Sequence, residues 1–272
     1  ELAARILLSR VYLYMGEWQL ALDECQKALN LGNVELMDLN SFPGREENRY
    51  ILDVENPEII FTQGYSATNV FYKNISYFTI CSFSCSEELI SLYNSFDDQV
   101  IKDLRLNAFF EDNGDEQYRV SKVGEKVYDC FAIRSVELYL NKAEAEAMLD
   151  KVEAIQTIKT LLHNRFEGGI PDVDGLSGKD LVSFIRDERR RELCFEAHRW
   201  FDLRRYAVSP KYPEKKSIRH TAYDIKGKLE GDYVLKPYGE DPAWVLPIPG
   251  YEIVYNQGNL VDNPQRVERE LE

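Results

Sequence analysis

Two helical hairpins, visible in the spacing of apolar residues, constrain the fold of this chain most strongly. Residues 6–15 and 18–29 each place apolar side chains three or four positions apart, and Gly16 interrupts the pattern between them. The same pattern of two helices joined by a short turn recurs at 136–149 and 152–162. One such hairpin cannot bury its own apolar face, so the two pairs are expected to stack on each other or on further helices. The sequence therefore predicts a mainly α fold of tetratricopeptide-like helical hairpins with an α-solenoid core.

The residues between the hairpins, from about 40 to 130, predict a large loop-rich insert. Residues 55–62 are predicted to form a turn that enters a short buried strand, and 112–115 a tight turn between extended segments. From Phe61 to Phe83, aromatic residues alternate with Gly, Ser, Thr and Asn, and neither a helical nor a strand period describes them. We interpret this aromatic stretch as loops that carry rings.

The C-terminal third is predicted to be one long helix followed by an extended segment. Ser177 begins the helix in a capping-box pattern in which Asp180 replaces the usual Glu or Gln, and the apolar positions continue to Leu203. Prolines recur from Pro210 onward and favour an extended chain, which we expect to wrap the helices. A single domain is predicted, made of a hairpin at 1–32, the insert at 40–130, a hairpin and long helix at 132–207, and an extended wrap at 208–272.

Charge and composition exclude two classes of partner. Lys and Arg total 33 against 47 Asp and Glu, which gives a formal charge of -14 at pH 7. Such a chain repels phosphate backbones and anionic membrane surfaces, so neither nucleic acid binding nor peripheral membrane binding is expected. No apolar run approaches the roughly 20 residues of a spanning helix, and the first residues lack the pattern of a signal peptide.

The charged segment between Ile185 and Arg205 also invites a catalytic interpretation. Glu188, Glu192 and Glu196 are four positions apart on one predicted helix face, where neighbouring arginines can neutralise them as i, i+3 and i, i+4 pairs. Ion-pair scaffolding is therefore predicted in place of acid–base catalysis. The predicted partners are Arg189, Arg191, Arg199 and Arg204.

Metal and cofactor chemistry have no motif in this sequence. The three histidines form no i, i+4 ligand pair, and the five cysteines are odd in number and irregularly spaced. No catalytic residue, metal site or cofactor is predicted. An enzyme that uses an unrecognised pair of carboxylates remains an alternative.

The aromatic stretch supplies the candidate ligand-binding residues. Exposed Tyr and Phe rings offer flat apolar faces to the C–H faces of a sugar, while neighbouring Asn, Ser and Thr can meet its hydroxyls. The alternative is that many of these rings pack beneath loops, as large aromatic side chains usually do. The candidates are Tyr65, Phe71, Tyr72, Asn74, Tyr77 and Phe78.

Residues 185–205 closely resemble the signature helix of the SusD-like (RagB/SusD) family, whose pattern is approximately Glu-Arg-x-x-Glu-Leu-x-x-Glu-Gly-x-Arg-x-x-Asp-Leu-x-Arg. Three further segments, 56–61, 132–145 and 246–249, resemble that family in the same order. Ala197 stands where the family prefers Gly. A helix interior is expected to tolerate this change, because Ala is the better helix former.

The resemblance implies a function. Members of this family are lipoproteins on the outside of the Gram-negative outer membrane, where each forms a lid over a SusC-like TonB-dependent transporter that imports glycans or peptides. It implies that this chain captures a glycan without chemistry and delivers it to such a transporter. Because family members are usually longer, we interpret the chain as the C-terminal majority of a lipoprotein whose N-terminal lipid anchor lies upstream. A peptide- or protein-binding helical-repeat scaffold and a glycoside hydrolase remain alternatives.

Overall fold

The chain begins with the first predicted hairpin. The computed structural model describes residues 1–47, 49–63, 85–95, 100–112, 114, 118–123, 131–224, 226, 228–266 and 270–271. Helix α1 spans Leu2–Met15 and helix α2 spans Trp18–Asn30. Gly16 adopts the left-handed conformation with a φ of 77°, which ends α1 and reverses the chain. The prediction for this segment is confirmed.

The described part of the insert contributes short strands and two short helices. After two 3-10 turns at Leu39–Ser41 and Arg45–Glu47, the elements are β1 (Ile59–Gln63), α3 (Glu87–Asn94), β2 (Lys102–Asp103), α4 (Arg105–Phe109), β3 (Phe110–Asp112), β4 (Tyr118–Val120) and β5 (Phe131–Arg134). Strand β1 is the strand predicted within 55–62. The turn predicted at 112–115 lies between β3 and β4, which pair antiparallel with Asp112 opposite Tyr118. The extended segments are confirmed, but β1 is not buried as predicted, because Phe61 is 49% exposed. The predicted turn falls partly outside the described residues.

The second hairpin stacks on the first. Helix α5 spans Ser135–Met148, helix α6 spans Glu153–Leu162, and strand β6 (Phe166–Glu167) follows and pairs with β2. Leu138 of α5 packs in a buried cluster with Ile6 and Ala28 of the first hairpin. Ala145 packs with Leu13, and the small alanines let the helices approach closely. The predicted stacking of tetratricopeptide-like hairpins, and with it the mainly helical fold, is confirmed.

The signature segment forms two helices where one long helix was predicted. Helix α7 spans Gly178–Glu192 and helix α8 spans Arg199–Ala207, and residues 193–198 form a turn between them. Phe195 and Ala197 have φ values of 61° and 64° in this turn. The prediction of an unbroken helix is wrong, and so is the expectation that Ala197 lies in a helix interior. Ser177 precedes α7 as predicted, yet its side chain makes no capping hydrogen bond.

By spatial contacts the chain divides into two compact units, Glu1–Arg199 and Trp200–Glu272. The second unit contains the antiparallel hairpin of β7 (Ile218–Tyr223) and β8 (Leu229–Leu235), a 3-10 turn at Pro242–Trp244 and helix α9 (Gly250–Tyr255). It is built around Trp244, whose ring lies 4.4 Å from that of Trp200 and whose indole N–H donates to the Lys236 carbonyl at 2.7 Å. The single domain and the wrapping of the helices by 208–272 stay predictions.

Candidate functional site

The six candidate ligand-binding residues lie in the stretch 64–84, outside the described residues. Their part in ligand binding stays a prediction. The set is Tyr65, Phe71, Tyr72, Asn74, Tyr77 and Phe78.

Strand β1, which leads into this stretch, forms a two-stranded sheet with β5. The two strands pair antiparallel, with Thr62 opposite Ala132 and Gln63 opposite Phe131. The described chain resumes after the stretch at Cys85, whose backbone N–H donates to the Tyr118 carbonyl of β4 at 2.8 Å. Because β5 continues directly into α5, the strand that leads into the stretch rests on the helical core.

A buried group of ten charged side chains, here called the ion network, lies behind these strands. It contains five cations and five anions, all with side chains at most 3% exposed. The cations come from several elements, whereas three of the anions belong to the signature segment. Its members are Arg105, Lys122, Arg134, Arg165, Arg191, Glu58, Asp103, Glu188, Glu192 and Glu196.

Glu192, the last residue of α7, is the centre of the ion network. Its side chain is fully buried and accepts hydrogen bonds from Arg165 at 2.9 Å and from Arg134 at 3.2 Å. Arg105 donates to the same carboxylate at 3.4 Å. Three guanidinium groups around one carboxylate would repel each other if further anions did not balance them.

Glu58 supplies one of those anions from just before β1. One of its carboxylate oxygens accepts from Arg165 and the other from Arg134, both at 2.6 Å. The Met37 backbone N–H also donates to Glu58 at 2.9 Å. Glu58 therefore fixes the entrance to β1, the end of β5 and the loop after α2 at one point.

Asp103 and Glu188 balance Arg105 on the other side. Arg105 binds Asp103 through two parallel hydrogen bonds of 2.9 and 2.7 Å, and donates to Glu188 at 2.8 Å. Arg191 donates to the second oxygen of Glu188 at 2.7 Å. Because every charge has an opposite partner and the sums are equal, the ion network can be buried without a net charge.

Lys122 explains why the signature helix ends at Glu192. Its ammonium group is fully buried and donates to the backbone carbonyls of Glu192 at 2.8 Å and Cys194 at 3.1 Å. It also binds the carboxylate of Glu196. In a continued helix these carbonyls would accept hydrogen bonds from backbone N–H groups. Lys122 satisfies them instead, and so stabilises the turn at 193–198.

The pKa values of the signature carboxyls follow from this arrangement. Burial alone would raise the pKa of Glu192, but Arg165, Arg134 and Arg105 outweigh it and hold the pKa well below the ordinary 4.5. Burial likewise opposes ionisation of Glu188 and Glu196, and their cationic partners lower both pKa values in the same way. These carboxyls are held ionised.

The prediction that the signature carboxyls pair with arginines of their own helix is therefore correct only in part. Arg191 and Glu188 form the predicted i, i+3 pair. Glu192 and Glu196, however, find their partners outside the helix, because the helix ends at Glu192 and its buried face meets β5 and the segment after α6. Arg189 instead donates to Asn141 of α5 at 2.7 Å.

A second buried polar chain ties the first hairpin to the signature helix. Arg10 of α1 donates to Glu137 of α5 at 2.6 Å. Asn141, which accepts from Arg189, donates to the Ser9 hydroxyl of α1 at 2.9 Å. Helices α1, α5 and α7 are thus joined by specific hydrogen bonds as well as by apolar packing.

Three of the five cysteines belong to the part of the chain that the structure describes. Cys25 and Cys194 are buried free thiols and Cys85 is partly buried, while Cys81 and Cys130 lie outside the described residues. Burial raises the pKa of the Cys25 thiol to about 12. In the part of the chain that the structure describes, no cluster of three or more His, Cys, Asp or Glu side chains could hold a metal ion. Among the same residues, no helix has the length and apolar character needed to span a membrane.

A family model identifies the chain. The model described as the SusD family matches residues 105–265, more than half of the sequence. The chain belongs to the SusD family. The match contains the signature segment and nearly all of the residues that surround Glu192.

Several solved structures share the fold of this family member over almost its whole length. A structure from Bacteroides vulgatus, named "Putative sugar binding protein", is 26% identical with a TM-score of 0.71 and covers 98% of this chain and 59% of its own. A SusD superfamily protein from Bacteroides thetaiotaomicron is 24% identical, with a TM-score of 0.69 and coverage of 97% and 60%. Surface glycan-binding protein A from Bacteroides uniformis is 16% identical, with a TM-score of 0.65 and coverage of 96% and 60%.

This SusD-family chain therefore spans about 60% of the length of those solved relatives. No curated protein sequence matches it significantly.

Sequence reasoning missed the cations that this SusD-family chain brings to Glu192. Two signals were present. Arg134 is a lone charge at the end of the apolar strand β5, and Arg165 lies three positions after Leu162, the last residue of α6. A charged residue at such a position is either exposed or paired, and only the tertiary structure decides between the two.

Proposed function

We propose that this chain captures a glycan at the outer cell surface without chemically changing it and delivers the glycan to a SusC-like TonB-dependent transporter. The observation that carries the proposal is membership of the SusD family together with the match, over 98% of the chain, to a structure named for sugar binding. The same resemblance supports an outer-membrane lipoprotein, anchored by an N-terminal lipid.

The ionised and buried state of the carboxyls in the signature segment supports glycan capture over glycan hydrolysis. A glycoside hydrolase needs one carboxylic acid that stays protonated to protonate the leaving group, and a second carboxylate beside the sugar. Glu188, Glu192 and Glu196 have lowered pKa values and are buried among cations. They are suited to hold the fold together and unsuited to donate a proton to a substrate.

The ligand in this proposal contacts the aromatic stretch after β1. Strand β1 is held by Glu58 and by its pairing with β5, so the stretch is attached to a rigid base. Tyr and Phe rings with neighbouring Asn suit the alternating apolar and hydroxyl surfaces of a sugar. The residues proposed to bind it are Tyr65, Phe71, Tyr72, Asn74, Tyr77 and Phe78.

Affinity electrophoresis through gels that contain plant, host or microbial polysaccharides tests this proposal. We expect one class of glycan to retard the wild-type chain, and Tyr65→Ala, Tyr72→Ala or Tyr77→Ala to weaken that retardation. Tyr255→Ala, which removes an exposed tyrosine from α9, is the matched control and should migrate as the wild type does. A wild-type chain that ignores every glycan but binds peptides would favour the helical-repeat scaffold instead.

A further inference from the structure

A small cavity lies between two loop segments of the first unit. Its volume is about 270 Å³, near the lower end of the range for small-molecule sites. The first segment follows α2 and the second precedes Glu58. The lining residues used below are Met37, Asp38, Phe42, Arg49, Tyr50 and Asp53, with Glu55 at the same wall.

The cavity wall is held rigidly by the ion network. The Met37 backbone N–H donates to Glu58 at 2.9 Å, and the Met37 carbonyl accepts from Arg165 at 2.7 Å. Two residues later, the Leu39 N–H donates to the Asn164 carbonyl at 3.0 Å. Because Glu58 and Arg165 are buried and paired, this wall is set before any ligand arrives. A site that is formed in advance binds without the entropy cost of ordering loops.

The side chains of the cavity combine apolar faces with hydrogen-bond acceptors. The rings of Phe42 and Tyr50 are half-buried at its surface. Asp38 accepts a hydrogen bond from the Asn40 N–H at 3.0 Å through one carboxylate oxygen, and Asp53 accepts from the Glu55 N–H at 3.1 Å in the same way. Among the described residues, the second oxygen of each carboxylate has no protein donor. Rings beside strong acceptors suit a ligand with both C–H faces and hydroxyl donors.

The charged side chains that line the cavity indicate which class of ligand it can bind. Three lining side chains are carboxylates, Asp38, Asp53 and Glu55, and one is a guanidinium, Arg49. Arg49 is already paired with Glu55, so its charge is not shared with Asp38 or Asp53. A second anion placed there would be repelled, which is how a site discriminates against a charged analogue of its ligand.

We propose that this cavity binds one residue of a neutral saccharide and rejects saccharides that carry carboxylate or sulfate groups. The inference rests on the proposed glycan capture, adds a second contact point to it, and predicts which glycans the chain selects. Tyr50 supplies the stacking face, and Asp38 and Asp53 accept hydrogen bonds from the sugar hydroxyls.

Isothermal titration of the chain with defined oligosaccharides tests the inference. The neutral probes are cellohexaose, maltohexaose, mannohexaose and xylohexaose, and the acidic probes are oligogalacturonate and a heparin hexasaccharide. We expect at least one neutral probe and neither acidic probe to bind. Tyr50→Ala should weaken that binding about tenfold, because one aromatic contact is lost. Asp53→Asn should weaken it less, and the exposed control Tyr255→Ala should leave it unchanged.

A second measurement on the unmodified chain guards against variants that misfold. Carbodiimide coupling of an amine to exposed carboxyls, located by mass spectrometry, should be slower at Asp38 and Asp53 when the bound neutral probe is present. Asp172, an exposed carboxyl outside the cavity, should react at the same rate in both samples.

The outcomes separate this inference from the proposed function. If a neutral probe binds, yet Tyr50→Ala binds equally well and Asp53 gains no protection, the cavity is not a saccharide site and glycan capture elsewhere still holds. If oligogalacturonate binds and protects Asp53, the charge selection is wrong. If no neutral probe binds, the cavity inference fails, whereas retardation by a polysaccharide gel would still support glycan capture.

Discussion

Ala197 holds the backbone of the signature turn in a conformation that suits glycine better. Its φ is 64° and its side chain is exposed, so no packing contact compensates for the strain. A residue with a Cβ loses about 1–2 kcal/mol in the left-handed region. Glycine gives back roughly 0.4–1 kcal/mol through its greater freedom in the unfolded chain. Ala197→Gly should therefore raise the free energy of unfolding by about 0.5–1 kcal/mol in urea denaturation.

The control for this prediction is a substitution that should change the free energy of unfolding in the opposite direction. Ala4 is an exposed residue of α1. Ala4→Gly should lower the free energy of unfolding by roughly 0.5–1 kcal/mol, because glycine is a poor helix former. If both substitutions destabilise the chain equally, the turn is not strained at residue 197.

At the scale of elements, the ion network joins β1, β5 and α7 through buried charges. Glu192→Gln removes the shared anion and leaves three guanidinium groups without it. Breaking a buried pair from one side typically costs about 3–5 kcal/mol, since the remaining charge stays buried. Glu192→Gln should therefore lower the free energy of unfolding by about that amount.

The matched control removes a carboxylate from an exposed pair in the same unit. Glu111 and Arg119 bridge β3 and β4 with about 40% of each side chain exposed. Glu111→Gln should cost less than about 1 kcal/mol, because water screens such a pair. Equal losses for the two variants in urea denaturation would contradict a structural role for the buried charges.

The sequence predicts elements whose signal is local. Both helical hairpins follow from apolar spacing within about four residues, and Gly16 marks the turn of the first. The break after Glu192 could not be predicted in this way. It depends on Lys122 and Arg134, 70 and 58 positions earlier, which both donate to the carbonyl of Glu192. Helix periodicity holds no information about a donor that arrives from another element.

The sequence predicted the structural role of the signature carboxyls but not which residues pair with most of them. Charge spacing in the signature segment correctly indicated scaffolding, and the pair of Glu188 with Arg191 follows from it. The partners of Glu192 are Arg134 and Arg165, which are 58 and 27 positions away. Such contacts depend on how the hairpins stack, and the spacing of residues along one helix cannot specify that.

At the scale of the whole molecule, the lowered pKa values of Glu188, Glu192 and Glu196 make stability depend on pH. The unfolded chain binds protons to these carboxyls near pH 4.5, and the folded chain binds them only at lower pH. Their contribution is therefore fully present above pH 4.5 and is lost as pH falls toward the folded pKa values. Urea denaturation should give a nearly constant free energy of unfolding from about pH 7 to 5 and a steep fall below about pH 4.

The variant Glu192→Gln provides the comparison for this dependence. It lacks one of the titrating carboxyls, so its stability should fall less steeply with acidification than that of the wild type. Equal stability of the wild type at about pH 3.5 and pH 6 would contradict the assignment of lowered pKa values.

In glycan capture the chain holds a glycan and leaves it intact, which can be tested by following a bound glycan over time. An oligosaccharide that binds in titration is incubated with the chain for a day at its binding concentration, recovered, and measured by mass spectrometry. Glycan capture predicts that the oligosaccharide is recovered at its original length while the chain still binds it. Recovery of shortened products that increase with protein concentration would contradict the claim and show hydrolysis instead.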